Sequence, residues 1–262
     1  AEKSGGAMTV SVFPNSALGG DDETLEMNAM GTVQLGVPSV ASLETYSDKW
    51  AILNLPFLYT SPDQMFAAMD GDLGEYMKTT LGDSEFIILG YNTNSNRDFT
   101  NNVRPITNAQ DIKGIKIRCM NNNTYVTWLN ALGANATPMG FNELFTALQQ
   151  GTVDGQENGP DQIFESAFYE VQKYLTVSDH VYDMNAITCN RAFYEGLTDE
   201  ERAIFDEGVR TILIEKQRET VVGSLEDYIA KLEEKGMEVN YLDDAAKQTF
   251  KDALAGVYAD YE

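Results

Sequence analysis

The chain has 262 residues, with 18 Lys and Arg against 41 Asp and Glu, a formal net charge of −23. That balance argues against nucleic acid or an anionic membrane as partner, because both are held by clustered cations. No run approaches the ~18 apolar residues of a membrane-spanning helix. At 43% apolar and 10% aromatic residues there is material for a real core, and roughly 150 residues per domain predicts one large domain or two.

Residues 1–6 read as the tail of a helix with a glycine stop, and residues 253–262 end inside a helical pattern. The expectation is a chain processed or cut at both ends, without a signal peptide of its own. Met8 to Phe13 alternates at period two and stops at Pro14-Asn15, which predicts a strand. Leu18 to Glu23 opens a helix with acids in its first turn, where the helix dipole favours them. Thr32 to Val37 reads as a second strand. Ser61-Pro62-Asp63-Gln64 is a capping box with proline at the first helical position, and its helix is expected to run to about Leu81.

Phe86 to Gly90 and Ile115 to Met120 follow as strands, with short ones at 153–155, 186–189 and 237–241. Helices are predicted over 122–132, 141–150 and 160–170. Strands alternating with helices predict an α/β protein with a mainly parallel sheet. Thr198 and Glu201 form a further capping box, and helical pattern continues to about Lys235. Unbroken, those thirty-eight residues would reach ~57 Å and lie across two domains; Gly208 and Gly223 are the positions where they would break instead.

Catalytic chemistry has little to stand on. His180 is the single histidine, expected to be a hydrogen-bonded structural residue, and GxGxxG, GxxxxGK[ST] and GxSxG are all absent. Asp154 and Glu157 form an acidic pair of the glycosidase type, in a chain where 41 acids make chance proximity the better account. Cys119 and Cys189 form no disulfide framework and no CxxC metal spacing.

Positive charge is more informative. Residues 97–118 hold Arg97, Arg104, Lys113, Lys116 and Arg118 against Asp98 and Asp111, a cationic island in an acidic chain and a candidate anion site. In the strand 115–120, Lys116 and Arg118 share one face, while Ile115, Ile117 and Cys119 share the other. Arg118 sits near the carboxyl end of that strand, where open α/β sheets bind ligands. A guanidinium fork matches a carboxylate with two parallel hydrogen bonds. Arg118 is therefore the first candidate and Arg97 the second.

These residues fall in motifs that resemble the solute receptors of tripartite ATP-independent periplasmic (TRAP) transporters. Phe13 to Gly20 (FPNSALGG) and Leu55 to Leu58 (LPFL) match the family's opening motifs. Arg97 to Ile106 (RDFTNNVRPI) and Asp111 to Arg118 (DIKGIKIR) match its central ones. Leu132 to Phe141, Glu143 to Asn158, Phe168 to Leu175 and His180 complete the series in the family's order.

The resemblance implies two α/β lobes hinged around a ligand cleft, a periplasmic-binding-protein fold with a long helix spanning both. Lobe I would be residues 1–95 with 185–222, and lobe II residues 96–184 with 223–262, in a chain cut at both ends relative to the family. It implies that Arg118 clamps a ligand carboxylate with Arg97 assisting, and that Asn158, Asn121 and Phe141 line the pocket. Function would be capture of a small organic acid in the periplasm, after removal of a signal peptide, by a monomer that delivers it to TRAP permease subunits in the membrane. No cofactor, metal or nucleic acid is implied, and an ion gradient in the permease would replace ATP. An interlobe disulfide would oppose hinging, so two reduced thiols are expected. Two arginines facing one acid fit a dicarboxylate or a hydroxylated monocarboxylate. Asn121, Asn122, Asn123 and Asn158, with both donors and acceptors, tilt the expectation to a sugar acid such as a uronate, with C4 dicarboxylates second. The competing readings are a carbohydrate-active α/β enzyme and a ligand-sensing receptor of the same fold.

Overall fold

The computed structural model describes residues 2–261; Ala1 and Glu262, the outermost residues of the two expected helical ends, lie outside that description. Among the described residues seven strands form one open sheet: β1 (Leu35–Gly36), β2 (Phe86–Asn101), β3 (Lys116–Cys119), β4 (Asn135–Pro138), β5 (Gly155–Asn158), β6 (Tyr174–Asn190) and β7 (Glu238–Tyr241). Their order is β1-β6-β2-β5-β3-β4, with β7 also on β6. β2 and β6 are 16 and 17 residues long and pair antiparallel along nearly their whole length.

That ladder corrects the expectation of a mainly parallel sheet. Only β3–β4, β3–β5 and β6–β7 are parallel. The sequence reading found the apolar tips of the long strands, 86–90 and 186–189, and missed their middles. Asn92-Thr93-Asn94-Ser95-Asn96 carries no apolar alternation, so periodicity has nothing to register there.

The two ends of the ladder serve different cores, which gives the molecule its two lobes. At one end Phe86, Ile88, Tyr91, Met184 and Ala186 pack with Leu25, Leu43, Trp50 and Met65. At the other, Phe99 and Val181 join Ile117, Trp128, Leu129 and Phe250 on one sheet face. Leu175 and Val177 join Leu144, Ile163, Phe168 and Leu232 in a third cluster. Between the ends the β2–β6 register skips from Thr93 to Asn96, and Ser95 takes a left-handed φ of 70°.

Several expected elements differ. Residues 9–13 run without regular structure, leaving Val10, Val12 and Phe13 78, 77 and 58% exposed. Alternation supplies two faces, but a strand also needs a neighbour for its N–H and C=O groups, and none of the described strands pairs with this segment. Residues 2–6 form turns, not a helical tail. The strand at 32–37 shrinks to Leu35–Gly36. The helix at 62–81 breaks at Asp70-Gly71 into Pro62–Met69 and Asp72–Thr79.

The long helical pattern resolves into a pair. Helix continues from Asp199 to Val222, widening to i→i+5 bonding over Val209–Lys216, with Gly208 fully helical. It stops at Gly223-Ser224 and resumes over Leu225–Glu234. The first part is fastened to the first lobe: Arg218 pairs with Asp70 and donates to the Tyr91 carbonyl, and Gln217 donates to the Thr93 carbonyl. The second part buries Ile229 and Leu232 in the other lobe. The spanning element is thus a helix pair with its break at the crossing.

Gly155 lets β5 approach β2 closely enough to pair. A Cβ there would lie 2.1 Å from the Thr100 carbonyl oxygen and 2.7 Å from Asn101 Cβ. Both are on a buried central strand with no room to give. Gly155→Ala is therefore expected to lower stability by about 1–3 kcal/mol in urea unfolding; an unchanged midpoint would show that β5 is free to shift.

Candidate functional site

The carboxyl ends of β3 and β5 and the start of the helix Phe141–Gln149 meet at Arg118. Alternation along β3 sends Ile117 and Cys119 into the core and leaves Lys116 exposed. Arg118 shares the Lys116 face yet is only 2% exposed, because Met139 and Phe141 close over it. Its Nε and Nη2 both donate to the Met139 carbonyl, at 3.0 and 2.8 Å. Its carbon Cζ stands 5.9 Å from the centre of the Phe141 ring. Nη1 is buried without any hydrogen-bond partner.

No carboxylate among the described residues lies within ion-pair distance of Arg118. Burial pulls its pKa down to about 10; the nearby charge of Arg97 adds to the fall, and Glu157 and Asp21 oppose it. The group stays charged at neutral pH. A buried guanidinium so placed carries a large unrecovered desolvation penalty.

Arg97 is in the opposite condition. It is 1% exposed and ringed by acids. Its Nε pairs with Glu157 Oε2, Nη1 with Asp183 Oδ2 at 2.9 Å, and Nη2 with Glu157 Oε1 and the Glu157 carbonyl. Burial works against its charge, but the two carboxylates outweigh that and raise its pKa further. Burial alone would push Glu157 up; Arg97 overcomes it and holds that carboxyl below its ordinary value. Arg97, expected as the assisting anion clamp, already has its charge matched by two carboxylates, which charge counting along the sequence does not detect.

The cationic island as a whole disperses. Arg104 is spent on the carbonyls of Asp111 and Lys113, and Lys116 faces water. Asn158, at the end of β5, is buried and donates to Gln156 Oε1 at 2.5 Å; Gln156 is the residue paired with Arg118 across the sheet. Phe141 is half-buried against Phe168. Asn121 is exposed and reaches Asp22 Oδ2 at 3.3 Å. Asn122 is committed elsewhere, capping the helix Asn123–Ala131 and donating to the Ala41 carbonyl and to Glu44.

Three groups that sequence reasoning passed over belong to the same neighbourhood. Tyr125 lies under Arg97, with its buried hydroxyl unpartnered. Asp183 accepts from Arg97, Asn94 and Ser39. Asp21, read from sequence only as a first-turn acid, faces Ser39 and interacts electrostatically with Arg118. Tyr125 and Asp183 lie in no charge cluster, and the acidic run Asp21-Asp22-Glu23 reads from sequence as helix-start charge, so no sequence signal ties the three to the arginines.

His180 is a structural histidine, though its ring does not bond to the neighbouring Asp179 or Tyr182. It stacks on Phe99 with ring centres 4.1 Å apart, Nδ1 meets Ser178 Oγ at 2.8 Å, and burial lowers its pKa. Asp154 and Glu157 share no cleft: Asp154 accepts from the Lys116 backbone, while Glu157 serves Arg97. Cys119 and Cys189 are both buried and free, and burial pushes each thiol up to about 12. Among the described residues no group of three His, Cys, Asp or Glu is placed to hold a metal ion, and no helix is long and apolar enough to cross a membrane.

Glu157→Gln should expose the difference between the two arginines. Leaving Arg97 underpaired in the interior is expected to cost about 3 kcal/mol in chemical unfolding, whereas a wild-type midpoint would mean that Asp183 alone balances Arg97.

Comparison with known proteins gives this geometry its context. Residues 1–262 match the family model described as bacterial extracellular solute-binding protein, family 7. A C4-dicarboxylate-binding protein of Bacillus subtilis is 32% identical over 270 residues, covering 100% of this chain and 75% of its own length. The structure of a sugar acid binding protein of Advenella mimigardefordensis in complex with galactonate superposes with a TM-score of 0.96 at 32% identity, covering 99% of this chain and 83% of that one. A TRAP periplasmic solute binding protein of Sulfitobacter with bound β-D-galacturonate gives 0.93 at 30% identity, covering 99% and 85%.

Proposed function

The chain belongs to bacterial extracellular solute-binding protein family 7, and from that premise we propose that it captures a small organic acid by docking the guest carboxylate on Arg118. The observation that carries this reading is the buried Nη1 of Arg118 with no partner and no ion-paired carboxylate. A carboxylate there completes the guanidinium's hydrogen bonds and supplies its counter-charge at once. Phe141 covers the guanidinium, Asn158 and Asn121 edge the same strand ends, and Arg97 acts through its acids rather than on the guest.

The guest is a sugar acid, with a C4 dicarboxylate second, in keeping with the galactonate and galacturonate bound by similar proteins and the dicarboxylate named for another. Capture proceeds by closure of two lobes, residues 1–95 with 185–222 and 96–184 with 223–262. The register skip between Thr93 and Asn96 and the helix break at Gly223 support a hinge on those boundaries. Closure expels water and strengthens the charge-assisted bonds. The loaded form is then favoured for docking on TRAP permease subunits, a population shift driven by differential affinity. The protein works as a periplasmic monomer, and it carries out no reaction on the acid.

Arg118→Ala tests this directly. Calorimetry against D-glucuronate and D-galacturonate should show affinity falling by about 2–5 kcal/mol, with the acid recovered chemically unchanged from wild-type complex. The unliganded melting temperature should stay level or rise, since the variant removes an uncompensated buried charge. Wild-type affinity in the variant, or turnover of the acid, would sink the reading.

A further inference from the structure

We propose that Glu44 is a latch between the two lobes: its carboxylate, on the first lobe, is caught by Asn122 and Thr124 of the second, and this contact sets how long a captured acid stays. The inference rests on lobe closure as the mode of capture and names a residue that retains the closed form.

The latch is built from both lobes. Glu44 belongs to the 3-10 helix Val40–Thr45, whose Val40 and Leu43 pack in the first-lobe core. Its Oε2 accepts from Asn122 Nδ2 and from Thr124 Oγ1, each at 2.8 Å. Asn54, in its own lobe, reaches the same oxygen at a longer 3.3 Å. Asn122 and Thr124 stand at the start of the helix Asn123–Ala131, which packs Trp128 and Leu129 into the second-lobe core. The dipole of that helix favours a carboxylate at this end. Both donors are buried and Glu44 is half-buried, so charge-assisted bonds are partly shielded from water.

The donors are spent on this crossing. Asn122 keeps Oδ1 for the Tyr125 N–H, its own helix cap. It sends Nδ2 to the first lobe twice, to Glu44 and to the Ala41 carbonyl at 2.7 Å. Thr124 gives its one hydroxyl proton to Glu44, so the Tyr261 hydroxyl 3.0 Å away donates to Thr124. Ala41 and Leu55, beside the link, are buried in the cluster around Trp128.

None of Glu44, Asn122 and Thr124 lies on β2, β6 or the helix pair, the elements that carry the chain between lobes. The link is therefore a non-covalent contact that lobe movement makes or breaks. Separating the lobes leaves Glu44 with Asn54 and water, and takes an ionic acceptor from Asn122 and Thr124. The contact favours closure without drawing on Arg118. A bond made only in the closed form shifts the closing equilibrium by one factor for every guest. Its loss shortens the bound lifetime, whereas the encounter rate belongs to the open form and stays unchanged.

Glu44→Ala and Thr124→Val cut the link from either side, with melting curves as a folding control. Small-angle X-ray scattering of the unliganded variants should give a larger radius of gyration than wild type. Stopped-flow binding of D-glucuronate and D-galacturonate should show dissociation at least about fivefold faster, by a common factor for both acids, with association unchanged. The double variant should be no weaker than the more affected single one, since both remove one contact. Wild-type radius and dissociation rate in the folded variants, a loss that differs between the two acids, or additive losses in the double variant overturn the latch and leave acid capture standing. Arg118→Ala that holds glucuronate as wild type does removes the anchor reading instead, and the scattering comparison still decides the role of Glu44.

Discussion

A guanidinium taken out of water is tolerable only with a counter-charge or a full set of acceptors, and Arg118 has neither. One backbone carbonyl takes two of its nitrogens and the third has no partner. Much of the surrounding structure is intelligible as what holds that condition in place. β3 must end at Cys119 and β4 at Pro138, so that the Met139 carbonyl turns back onto the fork. Phe141 must start its helix there, so that an aromatic face, not water, covers the charge.

The middle of the β2–β6 ladder is built differently from its two ends. Each end of the β2–β6 ladder carries its own apolar set, and the stretch between them is asparagine, threonine and serine with an interrupted register. Bending such a ribbon would disturb less apolar packing than bending an apolar crossing, although Ala41 and Leu55 pack in the cluster around Phe99 and Trp128. The helix pair obeys the same logic. Its break at Gly223 falls between the half fastened to Tyr91 and Asp70 and the half buried with Ile163 and Leu232.

Legibility in the sequence follows from what periodicity and charge counting measure. Short strands and capped helices, such as Lys116–Cys119, Asn123–Ala131 and the capping box at Thr198, lie close to where pattern puts them, because local propensity and packing agree there. The long strands were half hidden, since the polar residues of their middles pair in a ladder that leaves no hydrophobic trace. The segment 9–13 shows the converse, alternation without a neighbour to pair with. At the site, Arg118 was legible from strand phase and position, and Phe141 from the motif resemblance. Asp21, Tyr125 and Asp183 were not, because each is brought to the arginines by tertiary structure across separate elements.

Arg97 shows why its neutralisation matters to the residue that stays free. An unpaired Arg97 would add an uncompensated positive charge to the space around Arg118, and the fall in the Arg118 pKa to about 10 already includes a contribution of that sign. Placing Glu157 and Asp183 on Arg97 turns the group into one cation and two anions. Of these groups, Glu157 is the one whose charge opposes the fall in the Arg118 pKa that burial and Arg97 cause. The geometry matters as much as the count: Glu157 points its carboxylate at Arg97, so it stabilises the neighbouring charge from a distance without filling the slot at Nη1. A single acid bonded to Arg118 would have served protonation equally well and taken up the donor at Nη1. Two arginines that look alike in sequence thus divide the work, one locked to set the field and the other left incomplete by it.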